Sequence, residues 1–264
     1  MKIGLWPLLF ATLLLSGCST LKRWFTYDPN EVLYANGYSK TTQDDFSDQL
    51  IDLGRVLLKS KGVKTKKLSA KNQKYLENMY TRMINANELF FDEAYKPQFI
   101  VIRDKRPFFF SLPEGRFYFS SSLLKNYMKF EGILTAIMAT QILKSHKLLY
   151  KRIRFYPLGH VSIERMLSIV RLPFHEKNEI NKWAYLLIRR SGYNYHAYLS
   201  WMQTLNKNAI DFSLQLGGGS FVSREEFMFK KFLIDKGWNI PNMDLVKNSS
   251  KGFYAFQREV RSLF

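Results

Sequence analysis

The sequence predicts an α+β fold, mostly helical with one small β-sheet or hairpin, forming a single domain over residues 41–264. Three observations carry this. Aromatic and β-branched residues alternate with turn chemistry in "PQFIVIRDKRPFFFSLPEGRFYFSSSLL", Pro97 to Leu124, where "RDKRP" and "LPEG" break the run into three short strands. Apolar residues at helical spacing flank that stretch on both sides. The segment from Ile133 to Leu143 is apolar nearly all round, the mark of a helix buried on several sides.

Residues 1–17 have the layout of a secretory signal: Lys2, an apolar run from Ile3 to Leu15, then "LSGC". The run is shorter than the ~20 residues a spanning helix needs. Ser16 and Gly17 before Cys18, the only cysteine, resemble the lipobox of bacterial lipoproteins, which implies lipidation at Cys18 and a membrane anchor. By the same resemblance Ser19, in place of Asp, implies the periplasmic side of a Gram-negative outer membrane. One cysteine excludes an intrachain disulfide, so stability must come from a packed core. Residues 18–40 read as the lipidated tether, with Pro29, Asn30, Asn36 and Gly37 breaking any periodicity.

Helices are expected at Thr42 to Lys59 and Ser69 to Leu89, with the basic "KSKGVKTKK" between them. After the strands the helical pattern resumes at Ser121 and runs as one long helix until Pro157 and Gly159 end it. Shorter helices fit Ser162 to Val170, Glu176 to Arg190, Tyr195 to Asn206 and Ser223 to Asp235. The terminal "KGFYAFQREVRSLF" reads as an extension whose Phe253, Tyr254, Phe256 and Phe264 are a candidate docking surface. The adjacent acids Asp44 and Asp45, and Glu225 and Glu226, diverge by about 100° on a helix and read as solvated faces. "LGGGS", Leu216 to Ser220, is neither a nucleophile elbow nor a phosphate loop, and reads as a flexible loop.

The chain carries 40 Lys and Arg against 22 Asp and Glu. Removing residues 1–17 takes away Lys2 alone, so the formal charge falls from +18 to +17. Such a balance suits phosphate-rich partners. In an exported lipoprotein these are anionic lipid, lipopolysaccharide or acidic envelope proteins, and no nucleic acid is expected.

The order of parts is itself informative: "RPFFFSLPEGRFYFSSSLL" (Arg106 to Leu124), "EGILTAIMATQILK" (Glu131 to Lys144), then "KNEINKWAYLLIRRSGYNY" (Lys177 to Tyr195). It resembles the zinc metallopeptidase family of the HtpX/BepA type, in which a strand hairpin precedes an H-E-x-x-H helix and a later acidic helix supplies the third zinc ligand. The resemblance implies a metallopeptidase-like domain, strongest over about residues 97–207. It puts Thr140, Gln141 and Lys144 at the places of His, Glu and His, and Lys177 at the third ligand, with Glu179 and Asn181 at the following acidic positions. A hydroxyl is a poor zinc ligand, an amide is no general base, and an ammonium repels a dication. The resemblance therefore implies a degenerate member with no zinc site, no cofactor and no catalytic residue.

None of the four histidines, His146, His160, His175 and His196, lies four residues from another, so no other frame yields the motif. A makeshift set of His146, His175 and Glu176 is the remaining metal-binding arrangement. Lys144 and Lys177 are candidates for anion or peptide binding if the former cleft is open; a closed cleft would send their heads to solvent. In the parent family the cleft takes an extended polypeptide beside an edge strand, which implies a binding, chaperone or assembly role toward envelope proteins or unfolded polypeptide. The alternatives are a metal-dependent endopeptidase with an unrecognised site, and a structural lipoprotein that binds anionic lipid or a secretion-machine component.

Overall fold

Helix α1 (Gln43–Lys59) is amphipathic, and its buried Phe46, Leu50, Leu53 and Leu57 fall on one face. In the computed structural model, which describes residues 42–88, 91, 95–150, 159, 161–217, 220–238 and 249–263, this helix begins the fold. Cys18, the tether, His160 and Phe264 lie outside the described residues. Strand β1 (Thr65–Lys66) leads to α2 (Ala70–Asn85), whose N-cap Ser69 accepts the Asn72 N–H.

Three strands follow: β2 (Gln98–Ile102), β3 (Phe109–Leu112) and β4 (Arg116–Ser120). The sheet order is β1-β2-β4-β3; β2 and β4 are parallel, and the two outer pairs antiparallel. Side chains alternate between two apolar clusters. Ile102, Phe108, Phe110, Leu112 and Tyr118 face α1 and α4 (Ile163–Ile169). Phe99, Val101, Phe109, Phe117 and Phe119 belong to the larger cluster, which includes α3 (Glu131–His146). A sheet covered on both faces needs strands that are apolar throughout, which is why this stretch reads as runs of Phe, Ile and Val.

The single long helix expected from Ser121 is two pieces. A π-helical turn at Leu123–Tyr127 ends, Phe130 takes an extended conformation, and α3 starts afresh at Glu131. Distant partners take up the backbone groups that a continuous helix would use: Ser249 Oγ accepts the Glu131 N–H at 2.9 Å, and Gln257 donates to the Met128 carbonyl. Gly132 lets α6 (Ala197–Lys207) lie against the start of α3, since a Cβ there would fall 2.4 Å from the Ala197 Cβ. At its other end α3 stops at His146, well before Pro157, with Leu148 at φ 46°.

Helix α5 (Phe174–Arg190) packs on α3, and after α6 come α7 (Ser213–Leu216), α8 (Ser220–Asp235) and α9 (Lys251–Ser262). The expected docking surface on α9 is core instead. Phe253, Phe256 and Val260 are buried in a helix that packs on α2 and the π-helical turn, while Tyr254 is exposed. The cause is amphipathic spacing, which sets those three apolar residues on one face. Residues Gln43–Phe264 form one compact unit. Among the described residues, no helix is long and apolar enough to cross a membrane.

Candidate functional site

The second half of α3 carries Thr140, Gln141 and Lys144 at spacings that put them on one flank of the helix. Facing that flank is α5, which presents Lys177 and Asn181 one turn apart, while α6 contributes Tyr198 and Trp201 and α8 contributes Glu225. Val170 and Arg171 after α4, and Gln215 on α7, complete the wall. The cavity is partly open and about 90 Å³ in volume. Thr140, Gln141, Lys144 and Lys177 thus line one space, although Lys177 is 33 positions from Lys144 in the chain.

Lys144 is buried, 7% exposed, so its head does not reach solvent. Its ammonium donates to the Val170 carbonyl at 3.0 Å and lies 5.8 Å from the Tyr150 ring centre. No carboxylate among the described residues pairs with it. Burial, with repulsion from Lys177 as the smaller cause, brings its pKa down to about 7. Lys177 is paired: its Nζ lies 3.1 Å from Glu225 Oε1. Burial raises the Glu225 carboxyl above the usual range, with Lys177 opposing.

The amides of the cavity wall are incompletely used. The Tyr198 hydroxyl donates to Asn181 Oδ1 at 2.8 Å and lies 3.2 Å from Thr140 Oγ1. Asn181 Nδ2 and Gln141 Oε1 are buried without a hydrogen-bond partner among the described residues. Such atoms are uncommon in a finished core, because leaving one unmade costs on the order of 1–3 kcal/mol.

These side chains do not fit zinc. A hydroxyl, an amide and two ammonium groups supply no anionic or imidazole donor. Among the described residues, no three His, Cys, Asp or Glu side chains are grouped so as to hold a metal ion, and the makeshift set of His146, His175 and Glu176 does not form. His146 Nε2 is 2.7 Å from the Tyr80 hydroxyl, its ring packs among Tyr80, Phe91 and Tyr95, and His175 is exposed. The reason is rotational: position 146 lies two residues beyond 144, about 200° around the helix, on the side away from the cavity.

Two further expectations are corrected. Glu225 and Glu226 are not a solvated face: both are buried, Glu225 with Lys177, and Glu226 with Lys230 and Asn206. The edge strand is not free for an extended polypeptide either. Gln215 Oε1 accepts the Phe109 N–H at 3.0 Å, the Tyr150 hydroxyl donates to the Ser111 carbonyl at 3.0 Å, and all four residues of β3 are buried. Helix α7 covers this edge, held by Arg171, which donates to the Leu214 carbonyl. Gly217 ends α7 at φ 71°, with the Arg171 guanidinium where a Cβ would project, so the first glycine of "LGGGS" is a tight cap, while Gly218 and Gly219 lie outside the described residues. The opposite edge, β1, is two exposed residues flanked by lysines, a form that discourages pairing.

Sequence reasoning missed Tyr198, Gln215, Arg171 and the inward turn of Glu225. For Glu225 a signal existed: it falls in the stripe Val222, Glu225, Phe229, Leu233, whose apolar members are buried at helical spacing. The others had none, because each reaches the cavity only through tertiary packing. No protein-family model matches this chain, and no curated protein is found similar to it.

Proposed function

We propose that the protein is a lipid-anchored periplasmic factor of the outer membrane, a non-catalytic relative of the zinc metallopeptidases, that binds rather than cleaves its partners. The observation that carries this is the convergence of Thr140, Gln141, Lys144 and Lys177 on one cavity. Motif order matches these four positions with the zinc site of that family, and the fold brings them together with chemistry that repels a dication. A scaffold can keep its cleft after its chemistry is gone. With β3 covered by α7, the partner reaches the cavity rather than the sheet edge.

The test is metal analysis of the purified protein paired with casein cleavage, with and without added zinc. Less than about a tenth of an equivalent of zinc and no cleavage is the expected result. Near-stoichiometric zinc with chelator-sensitive cleavage would overturn the reading. For the anchor, Cys18→Ser is expected to move the protein from the membrane to the soluble fraction.

A second reading, surface binding to anionic lipid without the cavity, is favoured by one observation. Along α8, Phe227, Met228 and Ile234 are exposed beside Arg224 and Lys231, the composition of an interfacial helix face. Phe227→Glu would abolish salt-sensitive liposome binding if this face carries it, and leave it unchanged otherwise.

A further inference from the structure

The buried Lys144 ammonium can donate three hydrogen bonds, and among the described residues it has one acceptor, the Val170 carbonyl. Buried charges are ordinarily matched by a counter-charge, yet the one carboxylate among the described lining residues, Glu225, is taken by Lys177. Arg171, the third cation on the wall, donates to the Leu214 carbonyl. Among the described residues Lys144 therefore has no carboxylate partner, and it sits in an apolar setting of Leu167, Leu172, Trp201, Met202 and Leu205. A strongly hydrated anion such as phosphate would be poorly served by those walls.

We infer that this cavity binds a carboxylate with a short apolar tail, ion-paired to Lys144, with the Gln141 and Asn181 amides completing the polar contacts. The inference rests on the reading of the cavity as a binding site rather than a metal site. A volume of about 90 Å³ is smaller than the roughly 150 Å³ of a cavity that takes benzene, which limits the apolar tail to about three or four carbons. The two unpartnered amide atoms refine the class. Asn181 Nδ2 is a donor and matches a carboxylate oxygen; Gln141 Oε1 is an acceptor and matches an N–H. A short free acid supplies the first alone, whereas the C-terminal residue of a polypeptide supplies both, from its carboxylate and its own amide.

The test is calorimetric titration of the full-length, detergent-solubilised protein with butyrate, butyramide and inorganic phosphate, and with a hexapeptide ending in valine as free acid or C-terminal amide. Butyrate and the free-acid peptide are expected to bind at least about tenfold more tightly than their amides and than phosphate, one lost ion pair being worth at least that much. Lys144→Met is expected to abolish the preference. A free-acid peptide about tenfold tighter than butyrate assigns the site to polypeptide C-termini, and equal affinities assign it to free short-chain acids. Equal binding of butyrate and butyramide, a preference for phosphate, or a preference that survives Lys144→Met would overturn the inference.

Should that variant fail to fold, the wild-type chain still decides: butyrate is expected to shield Lys144 from acylation at least about threefold, read by peptide mass spectrometry, and no shielding overturns the inference. Zinc-free protein that ignores carboxylates would sink this inference alone, whereas stoichiometric zinc would sink the binding-site reading beneath it.

Discussion

At its first residue α3 carries Glu131, and thirteen residues later it carries Lys144; the fold treats the two charges in opposite ways. Glu131 accepts hydrogen bonds from the Tyr75 hydroxyl at 2.6 Å, and from the Ser250 N–H and hydroxyl at 2.8 Å each, while its own N–H is taken by Ser249. The carboxylate sits at the helix N-terminus, where the macrodipole favours it, and it fastens the start of α9. Glu259 repeats the device from the other side, accepting from the Ser69 N–H and hydroxyl, and from Asn72, at the start of α2. Among the described residues Lys144 has one carbonyl, no counter-charge and two unpartnered amide atoms on the same cavity wall. A charge saturated by its own fold holds the fold together; a buried charge left under-coordinated marks where something else is to be received.

That contrast breaks first at α9. Phe256 is 2% exposed, so Phe256→Ala should cost about 3–5 kcal/mol by chemical denaturation, and ending the chain after Ser249 should abolish cooperative folding. A C-terminus that could be removed without loss would mean α9 is the loose extension its sequence suggests. Next comes Glu131→Ala, which strands the Tyr75 and Ser250 donors and should cost about 2–4 kcal/mol, with Glu131→Gln milder.

At the other end the sign reverses. Lys144→Met should stabilise the protein by about 1–4 kcal/mol at pH 7 and below, because a buried ammonium with no carboxylate partner among the described residues is replaced by an uncharged thioether chain of similar length. The folded protein holds this proton with a pKa of about 7, against the ordinary 10.5 of the unfolded chain. Between those values the unfolded state binds more protons, so wild-type stability climbs with pH and the advantage of Lys144→Met fades toward pH 10.5. A destabilised variant across that range would show that the ammonium is already compensated.

The smallest effect is on binding. A carboxylate paired with Lys144 holds its proton, so butyrate affinity should fall by about tenfold per pH unit above pH 7. The ionisable groups facing Lys144 are Lys177 and Glu225, which are paired with each other, Arg171, and the hydroxyls of Tyr150 and Tyr198, both pushed up by burial. A flat profile between pH 6 and 9 would assign the anion to Arg171 or Lys177 instead.

Much of this fold is legible in the chain. The Phe-rich strands around "LPEG", the amphipathic α1 and α2, and the all-round apolar α3 follow from local pattern, and the structure has them close to where that pattern puts them. The resemblance read from motif order singles out positions 140, 141, 144 and 177, and these four line one cavity. What local pattern cannot carry is a partner far away in sequence. The break before Glu131 depends on Ser249 and Gln257, the covering of β3 depends on Gln215, and the inward turn of Glu225 depends on Lys177. Each involves a polar side chain, whose burial is decided by the group it meets rather than by its own hydropathy.

The most direct measurement is the titration of Lys144 itself, followed through its ¹⁵N-labelled ammonium by NMR, with Lys144→Met for assignment, first alone and then with saturating butyrate. A pKa near 7 that rises by more than about one unit on adding butyrate is the result this account requires. A pKa near the ordinary 10.5, unmoved by butyrate, would mean that the ammonium is already at rest in its own fold and that the cavity awaits no anion.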